Sequence, residues 1–182
     1  MKLVMLDRDG VLTEERGDYV KHPGELQLID GAASAVAQLN AAGIKTALVS
    51  NQSVVGRGII SADMLERIHA KLKSELAAAA GARLDLLLTC TDVPNSLSER
   101  RKPAPGMLRE ALAHFRVAPH EAVMIGDQVT DLRAAAAAGV EPVLVRTGKG
   151  AELLAKGLPQ DILTVRVYAS LTSAVEALLS GR

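Results

Sequence analysis

The sequence predicts a Rossmann-like, three-layer α/β/α fold with a parallel sheet and no large cap domain. Short, continuous apolar segments, typical of strands buried on both faces, alternate with segments whose apolar residues recur at helical spacing. Repeated β-α order implies right-handed crossovers that place helices on both faces of the sheet. The length of 182 residues suits one domain, so we expect residues 1–182 to form a single domain.

Each predicted element has its own local signal. The six apolar runs predicted as strands, the last of them weak, lie at about residues 2–6, 44–49, 84–89, 122–125, 143–145 and 163–167. The segments with helical spacing lie at about residues 32–42, 62–80, 106–115, 131–138 and 151–156, with another after 170. Three glycines follow helical segments where a left-handed residue is favoured, namely Gly43, Gly81 and Gly139. The predicted N-caps are Ser61, Thr130 and Ser170, and Pro105 suits a first helical position.

Two segments follow neither pattern. Residues 12–30 carry Gly17, Pro23 and Gly24 without helical spacing, so we expect a loop or a small hairpin over the sheet edge. Residues 90–104 form a polar stretch that contains Pro94 and Pro103. Long loops of this kind in a compact domain are often functional.

Composition excludes several classes of function. Lysine plus arginine and aspartate plus glutamate both number 21, so no overall field attracts nucleic acid or anionic membranes. Aromatic residues make up 2%, too few for base-stacking surfaces. Cys90 is the single cysteine and cannot form an internal disulfide, which fits a reducing cytoplasm. The first apolar run ends at Asp7, far short of a signal sequence or a membrane span. We expect no nucleic-acid or membrane partner.

Polar blocks follow each of the first four predicted strands. Ligands of open α/β sheets bind at the carboxyl ends of the strands, so these blocks should meet at one edge. In chain order they are Asp7-Arg8-Asp9-Gly10, Ser50-Asn51-Gln52-Ser53, Arg101-Lys102-Pro103, and Gly126-Asp127 followed by Asp131.

Asp7 and Asp9 lie two residues apart, so their side chains point the same way while the chain is extended, and Gly10 then allows a sharp turn. Carboxylates this close repel each other unless a cation lies between them or one holds a proton. Mg²⁺ suits the first arrangement, because it takes one or two carboxylates, waters and phosphate oxygens. A protonated carboxyl suits the second and would be a general acid. Taken alone, the pair also fits a solvated turn.

Lys102 and Ser50 point to phosphoryl chemistry only in combination with these acids. A phosphoryl group in transfer needs positive charge and fixed donors around its oxygens. Lysine, Mg²⁺, a hydroxyl and backbone amides supply them. Alone, Lys102 would be surface charge and Ser50 a strand-end turn.

Asp127 follows Gly126, which permits close approach of the backbone to a ligand. Its alternative role is an N-cap for the next helix, which Thr130 and Asp131 already fill. For Asp131 two roles stay open, capping of the helix and support of the metal ligands.

The four blocks resemble the four motifs of the haloacid dehalogenase superfamily, over about residues 1–150. Most members are Mg²⁺-dependent phosphatases with an aspartyl nucleophile. The resemblance implies that Asp7 takes the phosphoryl group as an aspartyl-phosphate. Asp9 would protonate the leaving alkoxide and then accept a proton from water. Mg²⁺ would be held by Asp7, the Asp9 carbonyl and Asp127, while Ser50 and Lys102 stabilise the transferred group.

Within the superfamily, the chain is most similar to the D-glycero-D-manno-heptose 1,7-bisphosphate 7-phosphatases, which are close relatives of the histidinol-phosphatases. The segments that carry this resemblance are DRDGV, SNQSVVGRG, RKPAPGM, GDQVTDLRAAAAAG and VRTGKG. It implies a small phosphorylated sugar as substrate and removal of a C7 phosphate. An arginine fork can bind a second phosphate in a bidentate manner while Lys102 serves the reacting one. The expected substrate contacts are Glu15, Tyr19, Asn51, Gln52, Ser53, Arg57 and Arg101.

The sequence departs from these two groups in the loop before Arg101. Their members usually carry a zinc loop there, C-x-H followed by C-x-C. Here only Cys90 remains, with Asp92, Ser98 and Arg100 at the matching positions, so we expect no structural zinc. Gln128 stands where the heptose phosphatases commonly have lysine, which removes one cation near the substrate.

Two further groups of residues do not predict a functional site. Gly148-Lys149 hints at a phosphate loop, but Val143 stands where its first glycine should be and Gly150 replaces the Ser/Thr, so no site is predicted there. The four histidines have no metal-ligand spacing.

We therefore expect a cytoplasmic, monomeric, Mg²⁺-dependent phosphomonoesterase with an open active site. A phosphatase for histidinol phosphate or another small sugar phosphate would share every catalytic residue. A rival of another class is a non-catalytic, receiver-like phospho-acceptor module. Receivers place the phosphorylated aspartate after the third strand, where this chain has Thr89-Cys90-Thr91.

Overall fold

The computed structural model describes residues 1–158, 160–162 and 164–181. Within these residues six parallel strands form one sheet in the order β3-β2-β1-β4-β5-β6. In chain order, the strands are β1 Leu3–Leu6, β2 Lys45–Asn51, β3 Leu86–Cys90, β4 Ala122–Gly126, β5 Glu141–Val145 and β6 Arg166–Tyr168. The predicted fold class is confirmed. The sixth strand lies slightly later than predicted, and Leu163, where the prediction began, lies outside the described residues.

Helices connect the strands as the alternating pattern predicted. They are α1 Ala32–Ala41, α2 Ser53–Gly56, α3 Ala62–Ala80, α4 Gly106–Phe115, α5 Val129–Ala138, α6 Gly150–Lys156 and α7 Leu171–Ser180. The four-residue α2 was not predicted, because one helical turn is too short to show a period. No helix in the described part of the chain combines the length and the apolar character needed to cross a bilayer.

The core has a large apolar cluster on each face of the sheet, and a smaller third cluster of Leu132, Leu144 and Ile162. Alternate β1 residues divide between the two large clusters, because successive side chains of a strand point to opposite faces. Val4 and Leu6 pack with α1, α3 and α7, whereas Leu3 and Met5 pack with α4 and α5. Burial on both faces explains why the strands appear in the sequence as unbroken apolar runs.

The sheet order reverses direction at β1, which has β2 on one side and β4 on the other. Leu6 is in register with Leu48 of β2 and with Ile125 of β4. The residues that follow, Asp7 and Asp127 among them, therefore emerge side by side at the carboxyl edge. This switch point is where open α/β sheets bind ligands.

Residues 12–30 form the small hairpin-like loop that the sequence predicted. Glu14 donates its backbone N–H to the Gln27 carbonyl at 2.9 Å, and Ile29 donates to the Leu12 carbonyl at 3.0 Å. A 3-10 turn, Pro23–Glu25, lies between these two strand-like arms. Val20 and Leu26 are buried in the cluster with α1 and α3, which anchors the loop to the domain.

Helix boundaries agree with most of the predicted caps. Ser61 and Ser170 cap α3 and α7, and Gly43, Gly81 and Gly139 all have positive φ. The prediction that Thr130 caps a helix was wrong, because α5 begins earlier and Gln128 is its N-cap. Pro105 is likewise the N-cap of α4 rather than its first helical residue.

Candidate active site

The floor of the site is a buried cluster of three carboxylates and one lysine. We call this set, Asp7, Lys102, Asp127 and Asp131, the floor. Each member is at most 6% exposed. Lys102 Nζ lies 2.6 Å from Asp131 Oδ1 and 3.3 Å from Asp7 Oδ1, and it donates to the Val49 carbonyl at 2.7 Å. The Lys102 ammonium group is thereby fixed between these three oxygens, at the carboxyl ends of the central strands.

The side chain of Asn51 attaches the loop that carries Lys102 to the end of β2. Asn51 Nδ2 donates to the Lys102 carbonyl at 2.9 Å, and the Lys102 N–H donates to Asn51 Oδ1 at 3.1 Å. Both ends of the Asn51 amide are therefore engaged with the chain rather than directed at a ligand. Asn51 lines the pocket, but its contacts make it a support for Lys102.

The floor is short of positive charge. Burial raises the pKa of Asp127 to about 8, and the Asp7 and Asp131 carboxylates add to the rise. Burial also raises the pKa of Asp7 to about 6, although Lys102 opposes the shift. Burial by itself would lower the pKa of Lys102, but Asp131 and Asp7 together raise it. One ammonium thus faces three carboxylates in a region of low polarity.

The carboxylate oxygens on the floor are suitable ligands for a hard divalent cation. Asp7, Asp127 and Asp131 each offer an oxygen within 4.8 Å of the others. Asp127 Oδ1 is buried and has no hydrogen-bond partner in the described part of the chain. Asp131 is already engaged by Lys102 and by the Gln128 N–H, at 3.0 Å. Asp7 Oδ1 likewise accepts the Arg8 N–H at 2.7 Å and lies 3.3 Å from Lys102 Nζ, so Asp127 Oδ1 remains as a buried oxygen open to Mg²⁺.

Two glycines enclose the Asp127 carboxylate. Gly10 and Gly148 have φ values of 81° and 57°, and a Cβ atom on either would collide with Asp127 Oδ2. The Lys149 N–H donates to the same oxygen at 2.8 Å, and Thr147 Oγ1 donates to the Gly10 carbonyl at 2.6 Å. The Thr147–Lys149 segment, in which the sequence analysis predicted no phosphate loop, is therefore part of the site. In the sequence it stood out only as part of the VRTGKG segment that resembles the heptose phosphatases.

Gly126 makes room for the Asp131 side chain. A Cβ atom at this position would collide with Asp131 side-chain atoms. Asp131 Oδ2 accepts from Gln128 N within a capping box, while Oδ1 pairs with Lys102. The capping role considered for Asp131 is therefore present on one oxygen, while the other oxygen holds Lys102 in the floor.

Asp9 lies above the floor with its carboxylate surrounded by donors. Arg8 Nε lies 3.1 and 3.2 Å from the two Asp9 oxygens, and Arg8 Nη2 lies 2.9 Å from Oδ2. Gln52 Nε2 donates to Oδ2 at 3.0 Å and also to Ser50 Oγ at 3.0 Å. Sequence reasoning missed Arg8, because a charged residue in a strand-end block reads as solvent-exposed, whereas Arg8 is 1% exposed.

The pocket over the floor has a volume of about 230 Å³. Every expected substrate contact lines it, and Asp7, Asp9, Ser50 and Lys102 reach its surface. We call its outer part, Glu15, Tyr19, Arg57, Arg101 and Lys149, the rim. Arg57 and Tyr19 are exposed, and Lys149 Nζ pairs with Glu15 Oε1 at 2.7 Å across the mouth. Asp127 and Asp131 lie beneath the pocket surface.

Hydrogen bonds hold the loop between Cys90 and Arg101 in place. Cys90 is buried at the end of β3, and its thiol donates to Asp92 Oδ2 at 3.4 Å and lies 3.8 Å from Ser98 Oγ. Arg101 Nη1 donates to the Asp92 carbonyl at 2.7 Å. These contacts connect Cys90 with the loop on which Arg101 and Lys102 lie.

Comparison with known proteins places this arrangement in a family. The model of the haloacid dehalogenase-like hydrolases matches residues 15–139. The D-glycero-beta-D-manno-heptose-1,7-bisphosphate 7-phosphatase of Pseudomonas putida is 40% identical over 163 residues, which are 90% of this chain and 93% of the relative. The enzyme of the same name from Pseudomonas aeruginosa is 39% identical over 173 residues, 95% of this chain and 97% of the relative.

Solved structures agree with the sequence relatives. The D,D-heptose 1,7-bisphosphate phosphatase of Bordetella bronchiseptica, crystallised with magnesium and phosphate, superimposes with a TM-score of 0.93 at 37% identity, over 100% of both chains. The corresponding enzyme of Burkholderia thailandensis gives a TM-score of 0.76 at 34% identity, over 99% of both chains. With its carboxylate floor, its fold and these relatives, the chain belongs to the haloacid dehalogenase-like hydrolase family.

Proposed function

We propose that this protein is a Mg²⁺-dependent phosphatase that removes the C7 phosphate of D-glycero-D-manno-heptose 1,7-bisphosphate. The observation that carries the proposal is the buried floor of Asp7, Lys102, Asp127 and Asp131 beneath a pocket whose rim carries two arginines. The relatives named above, which this chain matches over nearly its whole length, supply the identity of the sugar.

Asp7 is the proposed nucleophile. One of its carboxylate oxygens attacks phosphorus, the bond from phosphorus to the sugar oxygen breaks, and the sugar oxygen takes a proton from Asp9. Water then attacks the phosphorus of the aspartyl-phosphate, the bond from phosphorus to the Asp7 oxygen breaks, and a proton of the water passes to Asp9. Inorganic phosphate and the free Asp7 carboxylate result. Lys102 and the Ser50 hydroxyl face the equatorial oxygens and stabilise the charge that develops on them.

Mg²⁺, when bound, neutralises charge on the phosphoryl oxygens and on the crowded carboxylates. We assign its protein ligands to the carboxylates of Asp7 and Asp127 and to the backbone carbonyl of Asp9. The Asp9 carboxylate is engaged by Arg8 and Gln52, which leaves its main-chain oxygen for this role. Gly10, Gly148 and the Lys149 N–H hold Asp127 in place.

A substrate with two phosphates suits the distribution of cations in the pocket. Lys102 serves the reacting phosphate on the floor, while Arg57 and Arg101 lie on the rim, where a guanidinium fork can bind a second phosphate. Gln128 also borders the pocket and offers an amide where a lysine was expected. We propose that Arg57 and Arg101 carry the contacts to the second phosphate, with Glu15, Tyr19, Gln52 and Ser53 around the sugar.

Two alternatives make different predictions. A histidinol phosphatase or a general sugar phosphatase would use the same floor but would gain nothing from the two rim arginines. The receiver-like module is not supported, because the chain belongs to a hydrolase family and matches phosphatases over its length.

The test is phosphate release from heptose 1,7-bisphosphate, histidinol phosphate and hexose monophosphates, each with Mg²⁺ and with EDTA. We expect Mg²⁺-dependent turnover with kcat/KM highest for the heptose bisphosphate. Equal kcat/KM for all substrates would discard the heptose assignment and keep the mechanism. No turnover of any ester by folded protein would overturn the proposed function.

We also propose that all 182 residues form one domain that acts as a monomer in the cytoplasm. Light scattering on the purified chain measures its oligomeric state, and a fluorescent fusion shows its location in the cell. A stable dimer would contradict the monomer.

A further inference from the structure

Arg8 is a buried cation whose side-chain partner is the Asp9 carboxylate. Its guanidinium makes a bidentate contact, with Nη2 at 2.9 Å from Oδ2 and Nε at 3.1 Å from Oδ1. Arg8 Nη1 has no hydrogen-bond partner in the described part of the chain. Burying a guanidinium costs several kcal/mol, which a well-formed pair with Asp9 must offset. The ion pair with Arg8 therefore favours one orientation of the Asp9 carboxylate.

Neutral donors complete the set around Asp9. Thr13 Oγ1 lies 3.2 Å from Oδ1, and Gln52 Nε2 lies 3.0 Å from Oδ2. We call Arg8, Thr13 and Gln52 the Asp9 clamp. Rotation of the Asp9 carboxylate about its χ angles would break contacts to all three residues together.

The buried imidazole of His69 does not add a positive charge beside Arg8. His69 of α3 is 3% exposed, and burial together with the nearby Arg8 lowers its pKa to about 4. His69 is therefore neutral at pH 7, and the anion that pairs with Arg8 is Asp9.

We propose that Arg8 is a positioning residue, which fixes the direction in which Asp9 gives a proton to the leaving oxygen and takes one from water. The inference rests on the proposed function, since it concerns proton transfers in that reaction. The Arg8 backbone N–H donates to Asp7 Oδ1 at 2.7 Å, whereas its guanidinium pairs with the Asp9 carboxylate. Its effect is transmitted through the bidentate contact to Asp9, which a single-point ammonium cannot reproduce.

The test separates the two proton transfers by the choice of leaving group. Arg8→Lys and Arg8→Gln are compared with wild type on a sugar phosphate, whose alkoxide needs a proton, and on p-nitrophenyl phosphate, whose phenolate does not. Rapid-quench kinetics measure the release of nitrophenolate, and intact-mass measurement detects the phosphoryl group on Asp7. Arg133→Gln, which breaks an exposed bidentate pair with Asp161, is the matched control.

For Arg8→Lys we expect kcat on the sugar phosphate to fall by about 10²-fold, because general acid–base catalysis typically contributes that much. The first turnover of p-nitrophenyl phosphate should stay within about fivefold of wild type and should appear as a burst, since hydrolysis of the phospho-Asp7 then limits the rate. Thr13→Val, which removes one neutral donor to Asp9, should show the same pattern with a smaller loss.

Equal loss on both substrates without a burst would assign Arg8 to the fold alone and overturn the inference. Unchanged kinetics in Arg8→Lys would overturn it as well. If Arg8→Gln fails to fold, Arg8→Lys and Thr13→Val decide, because neither alters the buried charge. If wild type hydrolyses no ester, the proposed function fails and the inference falls with it. If wild type is active, only the Arg8 result bears on the inference.

Discussion

The floor and the rim of the pocket differ in burial and in how completely their charges are paired. On the floor, Lys102 is 2% exposed and all of its contacts are to the chain itself. On the rim, Arg57 is exposed, and the Lys149 side chain that pairs with Glu15 is 49% exposed. Charges that are buried and mutually fixed are costly to disturb, whereas exposed charges are screened by solvent.

Under the proposed function, the floor residues carry out phosphoryl transfer and the rim residues select the substrate. A group aimed at the transferring phosphoryl should affect kcat, because its effect is greatest in the transition state. A group that binds the far phosphate equally in the ground state and the transition state should affect KM. Floor variants should therefore change mainly kcat, and rim variants should change mainly KM.

Replacement of the nucleophile should have the largest effect. In Asp7→Asn no aspartyl-phosphate can form, so we expect phosphate release to fall by roughly 10⁴-fold or more. The fold should survive, because the change removes one of three crowded carboxylates. Phosphate release and circular dichroism measure both, with the exposed Asp18→Asn as control. Activity within tenfold of wild type would remove the nucleophile assignment.

Lys102→Ala tests the cation on the floor. We expect kcat to fall by about 10²–10³-fold, since a preorganised donor at developing charge is worth a few kcal/mol. Stability should also fall, because Asp131 loses an ion pair at 2.6 Å. Steady-state kinetics and thermal unfolding measure the two effects. A change in KM alone would place Lys102 with the rim residues.

Mg²⁺ affinity should depend on pH because of the raised carboxyl pKa values. Without metal, Asp127 with its pKa of about 8 is mostly protonated at pH 7. Mg²⁺ binding must then release that proton, so the Kd should rise about tenfold for each pH unit below 8. Calorimetry at pH 7 in two buffers of different ionisation enthalpy measures the released proton. A Kd that is constant from pH 6.5 to 9 would contradict the assignment of Asp127 as a ligand.

Arg101→Ala and Arg57→Ala should mainly raise KM. Losing a charged contact to the second phosphate costs roughly 1.5–3 kcal/mol, so the KM for the bisphosphate should rise by about tenfold or more. The KM for a monophosphate should not change, since it lacks the second group. Kinetics on both substrates make the comparison. An equal rise in KM for the bisphosphate and the monophosphate would indicate that these arginines do not bind the second phosphate.

Glu15→Gln should have the smallest effect. It removes the ion pair with Lys149, which is partly exposed and so contributes at most about 1 kcal/mol. We expect kcat and KM within about threefold of wild type and a small change in thermal unfolding. A tenfold fall in kcat would show that this pair belongs functionally with the floor, and a tenfold rise in KM would show that the charge of Glu15 is needed for its contact with the sugar.

Local patterning made most of the fold predictable. Helices α3 and α4 begin and end at the predicted residues, because both show clear helical spacing and α3 is flanked by a Ser N-cap and a C-terminal glycine. The strands were visible because burial on both faces leaves long apolar runs. The candidate residues could be collected because parallel strands bring their carboxyl ends to one edge.

The sequence by itself therefore determined the order of the elements, the edge at which the polar blocks meet, and the resemblance to a hydrolase family. The tertiary structure alone decided the partners of each group: Arg8 on Asp9, Gly126 against Asp131, and Gly148 with Lys149 around Asp127. The bond from Thr147 to Gly10, for example, joins residues 137 positions apart. Local propensity reflects interactions between neighbours in the chain, whereas the burial and pairing of a charge depend on segments that meet only after the sheet has formed.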